Sequence, residues 1–371
     1  MKIAYIILSF SILFSAACAH KSVQAKESEK SSADVLFENL KALVGKATLF
    51  GHQDDLAYGI GWKYVEGESD VKRTAGDYPA LFGWELGGIE LGNPVNLDSV
   101  PFHKMREFAV WVHQNGGVNT FSWHPFSAVD ESKSSWVVDE VVVRHILPGG
   151  SHHEVFIRHL DKLVGFFKEL KTDDDEMVPF IFRPWHEMDG GWFWWGVDLT
   201  TPEEMIALFR FTIEYMHESG ITNFLVAYSP DRHFNNEAEY LTWYPGDDMV
   251  DVIGVDNYYD MRSGEQGFQD AIRKLEIVTR YAEKTGKVAA FTETGLDRIP
   301  DANWYTSKLG AALNANEWTR KIVYAMVWRN HDLTHFYVPY PEHPAANDFR
   351  SFLNQDHILL LSDWNNYLGN K

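Results

Sequence analysis

Two glutamates stand where carboxyl chemistry can be done. Glu187 lies in RPWHEMDGGWFWWG, Arg183 to Gly196, where an apolar run ends in Arg183, His186 and Glu187 and a loop carrying Trp192, Trp194 and Trp195 follows. Glu293 lies in FTETG, directly after another apolar run and between the hydroxyls of Thr292 and Thr294. Cleavage of a glycosidic bond needs such a pair, because one carboxyl must protonate the departing oxygen while another engages a positively charged anomeric carbon. The aromatic surroundings of Glu187 favour its protonated form and hence the acid role. A charged Glu293 at a strand end is costly unless it is paired or functional, and a structural salt bridge is the alternative to a functional role. If the two act with retention, their carboxyl groups should lie about 5 to 5.5 Å apart. The three tryptophans either face a sugar, whose C–H faces suit an indole ring, or pack on one another as a rigid mini-core.

Residues so far apart in sequence meet only if a scaffold brings strand ends together. Eight short apolar or β-branched runs recur along the chain: ATLFGHQ from Ala47, ALFGWEL from Ala80, GVNTFSWHP from Gly117, FIFRPWHE from Phe180, FLVAYSP from Phe224, DVIGVDNYY from Asp251, VAAFTETG from Val288 and AMVWRNH from Ala325. Nearly every one begins apolar and ends in polar or aromatic residues, at His52, Glu85, His124, Glu187, Ser229, Asp256, Glu293 and Arg329. Helical patterns fill several gaps, with Thr201 as a cap, Pro202 at the first helical position and Gly220 as the stop of one of them. This alternation predicts an α/β fold, a (β/α)8 TIM barrel with its functional groups at the C-terminal strand ends. Two connections, Ser127 to Gly150 with Trp136, and Met261 to Gly267, read as long loops at that face.

Composition narrows the partners. The 371 residues carry 53 acids against 33 bases, a formal charge of −20, which disfavours nucleic acid and anionic membrane and suits a neutral ligand. Residues 1–17, MKIAYIILSFSILFSAA, read as a signal peptide, so the protein is expected to be exported, to the periplasm or cell envelope. The single cysteine, Cys18, would become the N-terminus after one cut and a site for a lipid anchor, and cleavage after Ala19 is the alternative. Residues 18–33 are polar and small and read as a tether. Residues 34–371 then form one catalytic domain, expected to be monomeric, with no transmembrane helix in the mature protein.

With these motifs assembled, the chain from about Gly51 to about His331 resembles glycoside hydrolase family 26, chiefly β-1,4-mannanases on retaining (β/α)8 barrels. The resemblance rests on the His186-Glu187 pair, on Glu293 in its Thr-Glu-Thr setting, and on GHQDDLAYG, WHP, DNYY and WRN. It implies Glu187 as acid/base and Glu293 as nucleophile, both catalytic. It also implies a substrate-binding set in which Trp192 stacks beside the acid and Tyr258 positions the nucleophile. In that set His186 precedes the acid, and His124, Trp328 and Arg329 line the non-reducing-side subsites. No cofactor or metal is implied, and the partner is a β-mannan, galactomannan, glucomannan or manno-oligosaccharide. From the residues alone, Arg329 could equally be an ion-pair partner and His124 a core histidine. A metal-dependent barrel is the main enzymatic alternative, but it would want His-x-His on a strand where His52 is followed by Gln53. An exo-acting, mannobiose-releasing enzyme and a non-catalytic envelope glycan-binding protein are the other readings.

Overall fold

The computed structural model describes residues 30–369. The proposed signal peptide, Cys18 and most of the tether lie outside the described residues. Ser31 caps the first helix, α1 (Ser32–Lys41), in a reciprocal box with Asp34. Among the described residues no helix is long and apolar enough to cross a membrane.

Eight parallel strands follow: β1 (Thr48–Gln53), β2 (Leu81–Glu85), β3 (Val118–Trp123), β4 (Phe180–Pro184), β5 (Phe224–Tyr228), β6 (Val252–Asp256), β7 (Val288–Thr294) and β8 (Ile322–Val327). Each pairs with the next, and β8 returns to β1 through Leu49 opposite Tyr324 and His52 opposite Val327, so the sheet closes. Every residue of these strands is buried, because helices cover the outside and side chains fill the inside. This is the (β/α)8 barrel expected from the alternation. A short strand, Ile358–Leu359, also pairs in parallel with the start of β1. Its two residues carry too little pattern to be read from sequence.

Leu49, Leu81, Ile181, Leu225 and Met326 form one apolar cluster with Leu36 and Leu40 of α1. Space there is tight: a Cβ at Gly51 would come within 2.7 Å of the Leu81 side chain. The upper interior is polar, and Arg183 stands in it fully buried.

Long helices α2 (Phe102–Gln114), α3 (His153–Lys168), α4 (Pro202–Glu218) and α5 (Gly264–Thr285) cover the strands. The stretch from Met261 to Gly267 is not the long loop its glycines suggested. Tyr259–Arg262 is a helical turn, and α5 begins at Gly264, so its glycines sit at and inside a helix start. The segment from Ser127 to Gly150 is a loop as expected, interrupted only by the turn Val143–Ile146.

Thr201 caps α4 as its sequence implied: its hydroxyl accepts from the Glu204 N–H, and the Glu204 carboxylate accepts from the Thr201 N–H. Thr201→Ala is expected to lower unfolding free energy by about 1 kcal/mol without moving the strand ends. A denaturant titration reads the loss.

Candidate active site

The floor of the barrel mouth is built around one cation. Arg183, near the end of β4, bonds Asp256 of β6 at 2.6 Å through Nη1 and meets Glu293 of β7 through Nη2. Tyr258, two residues past β6, donates its hydroxyl to the other oxygen of Glu293 at 2.9 Å. Glu293 therefore has each carboxylate oxygen oriented by a different donor. Oxygens of Glu187, Asp256 and Glu293 lie within 4.8 Å of one another. Three acids so close could hold a cation, and the Arg183 guanidinium supplies positive charge to two of them.

Glu187 sits in different surroundings. The chain turns sharply after β4, with Trp185 at φ 54° and Glu187 at φ 55°, a left-handed backbone that side chains seldom adopt. Such residues cost about 1–3 kcal/mol each and persist where packing over-determines them. Here the packing is aromatic: Trp185, Trp194 and Trp195 are buried with ring centroids 5.2 to 5.6 Å apart. Their indole N–H groups donate to Thr212 Oγ1, Pro125 O and His186 O. Of the three loop tryptophans, two are thus the mini-core, and only Trp192, at 36% exposure, faces outward. Its Nε1–H donates to Glu187 at 2.7 Å. Burial, then the charges of Asp256, Glu293 and Asp231, hold the Glu187 carboxyl well above its ordinary range, while the Trp192 bond pulls weakly the other way.

On the wall, His124 stands one residue past β3 and is fixed by Glu85, which meets its Nδ1 at 2.6 Å. Burial pushes Glu85 up, but His124 and the hydrogen bonds it accepts hold it below its ordinary value, so it is an anionic anchor. His124 Nε2 is 3.0 Å from His186 Nε2, so only one of the two nitrogens carries a proton there. Burial, then Arg183 and His124, keep His186 well below the usual imidazole range and hence neutral.

The groove is lined by both glutamates with His124, His186, Trp192, Tyr258 and Trp328, all singled out in the sequence. Arg329 is not among these lining residues; it pairs with Asp98 at 2.9 Å and reaches the Tyr58 hydroxyl. Sequence reasoning missed Trp136, which stacks on His124 at 5.0 Å and 14°, and Tyr337, which packs on Tyr258 at 5.8 Å. Nothing local marks Tyr337, whereas an isolated tryptophan in a long loop was a usable signal for Trp136. Arg183 and Asp256 were named only as strand-end groups, because their bond joins residues far apart in sequence.

A closed (β/α)8 barrel with facing carboxyl groups in an aromatic groove has the build of a glycoside hydrolase. The chain belongs to glycosyl hydrolase family 26, whose sequence model matches residues 24–333. It is 30% identical over 355 residues to a mannan endo-1,4-β-mannosidase of Bifidobacterium adolescentis, covering 88% of this chain and 34% of that protein. A mannan endo-1,4-β-mannosidase of Thermothelomyces thermophilus is 26% identical, over 74% of this chain and 52% of its own. The chain thus spans between a third and about half of these curated relatives. A solved GH26 β-mannanase from Bacteroides ovatus superposes with TM-score 0.86 at 39% identity, over 90% of this chain and 96% of that one.

A carboxyl raised on folding contributes stability that is fully present below its unfolded value and is lost as pH rises through its folded value. Glu187→Gln, which can still accept from Trp192, should therefore raise the melting temperature at neutral and alkaline pH. The gain should vanish in acid below the ordinary glutamate range. Thermal melts of the two proteins across pH check both the sign and the window.

Proposed function

We propose that the protein hydrolyses β-1,4-mannan by double displacement, with Glu187 as acid/base and Glu293 as nucleophile. The observation that carries the reading is the approach of the two carboxylates to within 4.8 Å, too close for a water to attack between them. Their surroundings divide the labour. The Glu293 carboxylate, aimed by Arg183 and Tyr258, attacks the anomeric carbon as the bond to the leaving oxygen breaks. Glu187, held protonated, gives that oxygen its proton. The resulting glycosyl ester is opened by water, whose proton returns to Glu187. His124, His186 and Trp328 on one wall, with Trp192 beside the acid, offer hydrogen-bonding and stacking faces to neutral sugars. The relatives' printed activity supports mannan as the chain attacked. The leader and Cys18 support export to the envelope, with a lipid anchor at Cys18.

Wild-type protein is expected to release reducing ends from mannan faster than from β-glucan. Glu187→Ala and Glu293→Ala should each lose at least about 100-fold in turnover while still binding polymer. A ladder of products indicates internal cutting, and mannobiose alone indicates release from a chain end. Binding of mannan with no release by the wild type would make this a glycan-binding protein and overturn the proposal.

A further inference from the structure

The loops after β4 and β5 carry a second set of titratable side chains, which the two-carboxylate mechanism does not use. Asp189, two residues past Glu187, accepts the backbone N–H of Asp231 at 2.6 Å and of His233 at 3.0 Å. The Glu187 N–H donates to Ser229 O at 2.8 Å, so the two loops are joined on both sides of Asp231. His233 Nδ1 lies 3.3 Å from Asp231 and 3.7 Å from Asp189. The His233 ring packs against Trp192 at 5.9 Å, and Trp192 is the indole bonded to Glu187. Two cations stand near, one of them in a long ion pair with Asp231 and the other paired with Asp260. Arg232 comes only to 3.8 Å of Asp231 and lies over the exposed Tyr259 ring at 4.1 Å, while Lys274 is paired with Asp260.

We propose that Asp189, Asp231 and His233 act together as a positioning group for Glu187, fixing both the indole that bonds it and the negative charge it faces. The inference rests on Glu187 being the acid/base. Asp231 is buried, and burial followed by the charge of Asp189 pushes its carboxyl up to about 7. Burial draws His233 below its ordinary value, Asp189 and Asp260 oppose this, and Arg232 and Lys274 add to the fall. Burial also raises Asp189, so the protonation states of the three neighbouring groups depend on one another. As Asp231 ionises, it opposes loss of the Glu187 proton, alongside Asp256 and Glu293 beneath. The acid form then persists further into the alkaline range than the two floor carboxylates alone would hold it.

The test is the pH profile of kcat/KM on manno-oligosaccharide for wild type, Asp231→Asn and the distant surface control Asp248→Asn. In Asp231→Asn the alkaline limb should move to lower pH by about 0.5 to 1 unit, with the acidic limb unmoved. Asp248→Asn should leave both limbs in place. An alkaline limb unmoved in Asp231→Asn, whatever the drop in overall rate, assigns the cluster a merely structural role and overturns the proposal. If Asp231→Asn does not fold, His233→Gln at its half-exposed position reads the same group, and an unmoved limb there counts equally against it. Failure of the underlying reading is distinguishable, because an alkaline limb that survives in Glu187→Ala removes Glu187 from the acid role before Asp231 is considered.

Discussion

A guanidinium in the interior of the barrel is the constraint on which the rest depends. Arg183 is wholly buried, and a charge taken out of water must be paired or the fold loses several kcal/mol. Its partners, Asp256 and Glu293, come from β6 and β7, so one cation ties together the ends of three strands. That pairing explains why two acids can be tolerated below the mouth. It also fixes the direction in which Glu293 presents its second oxygen, which Tyr258 completes.

The two glutamates differ because their neighbours differ. Glu293 meets a cation and a phenol, whereas Glu187 meets an indole N–H and faces other carboxylates. The same side-chain type is thereby given opposite surroundings, one that offers a cation and a hydrogen-bond donor and one that disfavours negative charge. The strained turn at Trp185 and Glu187 belongs to this arrangement. It takes Glu187 out of the extended backbone of β4, and buried tryptophans pack around it.

The mouth is also braced at its rim. Asp70 accepts from the Ile60 N–H, the Trp62 indole and the Asn330 amide, joining the loop after β1 to the loop after β8. Arg329 belongs to the same rim, pinned by Asp98, and its neighbour Trp328 is left to face the groove. Adjacent residues thus take different work, since successive side chains point to different sides of an extended segment.

Much was legible in the sequence, for reasons that can be named. Period and polarity along each run fixed the eight strands and the end at which function would gather, since burial on both faces demands apolar runs and the mouth demands polar ends. The Glu187 segment was legible because so many tryptophans beside an acid are rare. Glu293 needed the family pattern. What only the tertiary structure decided was the pairing of distant groups: Arg183 with Glu293, His124 with Glu85 and His186, Arg329 with Asp98, and the burial of Trp194 and Trp195 while Trp192 stays outside. Local sequence determines which way a side chain leaves its strand or helix. Which charge or ring it then meets is set by closure of the barrel, and that contact decides whether a residue holds the fold together or faces the substrate.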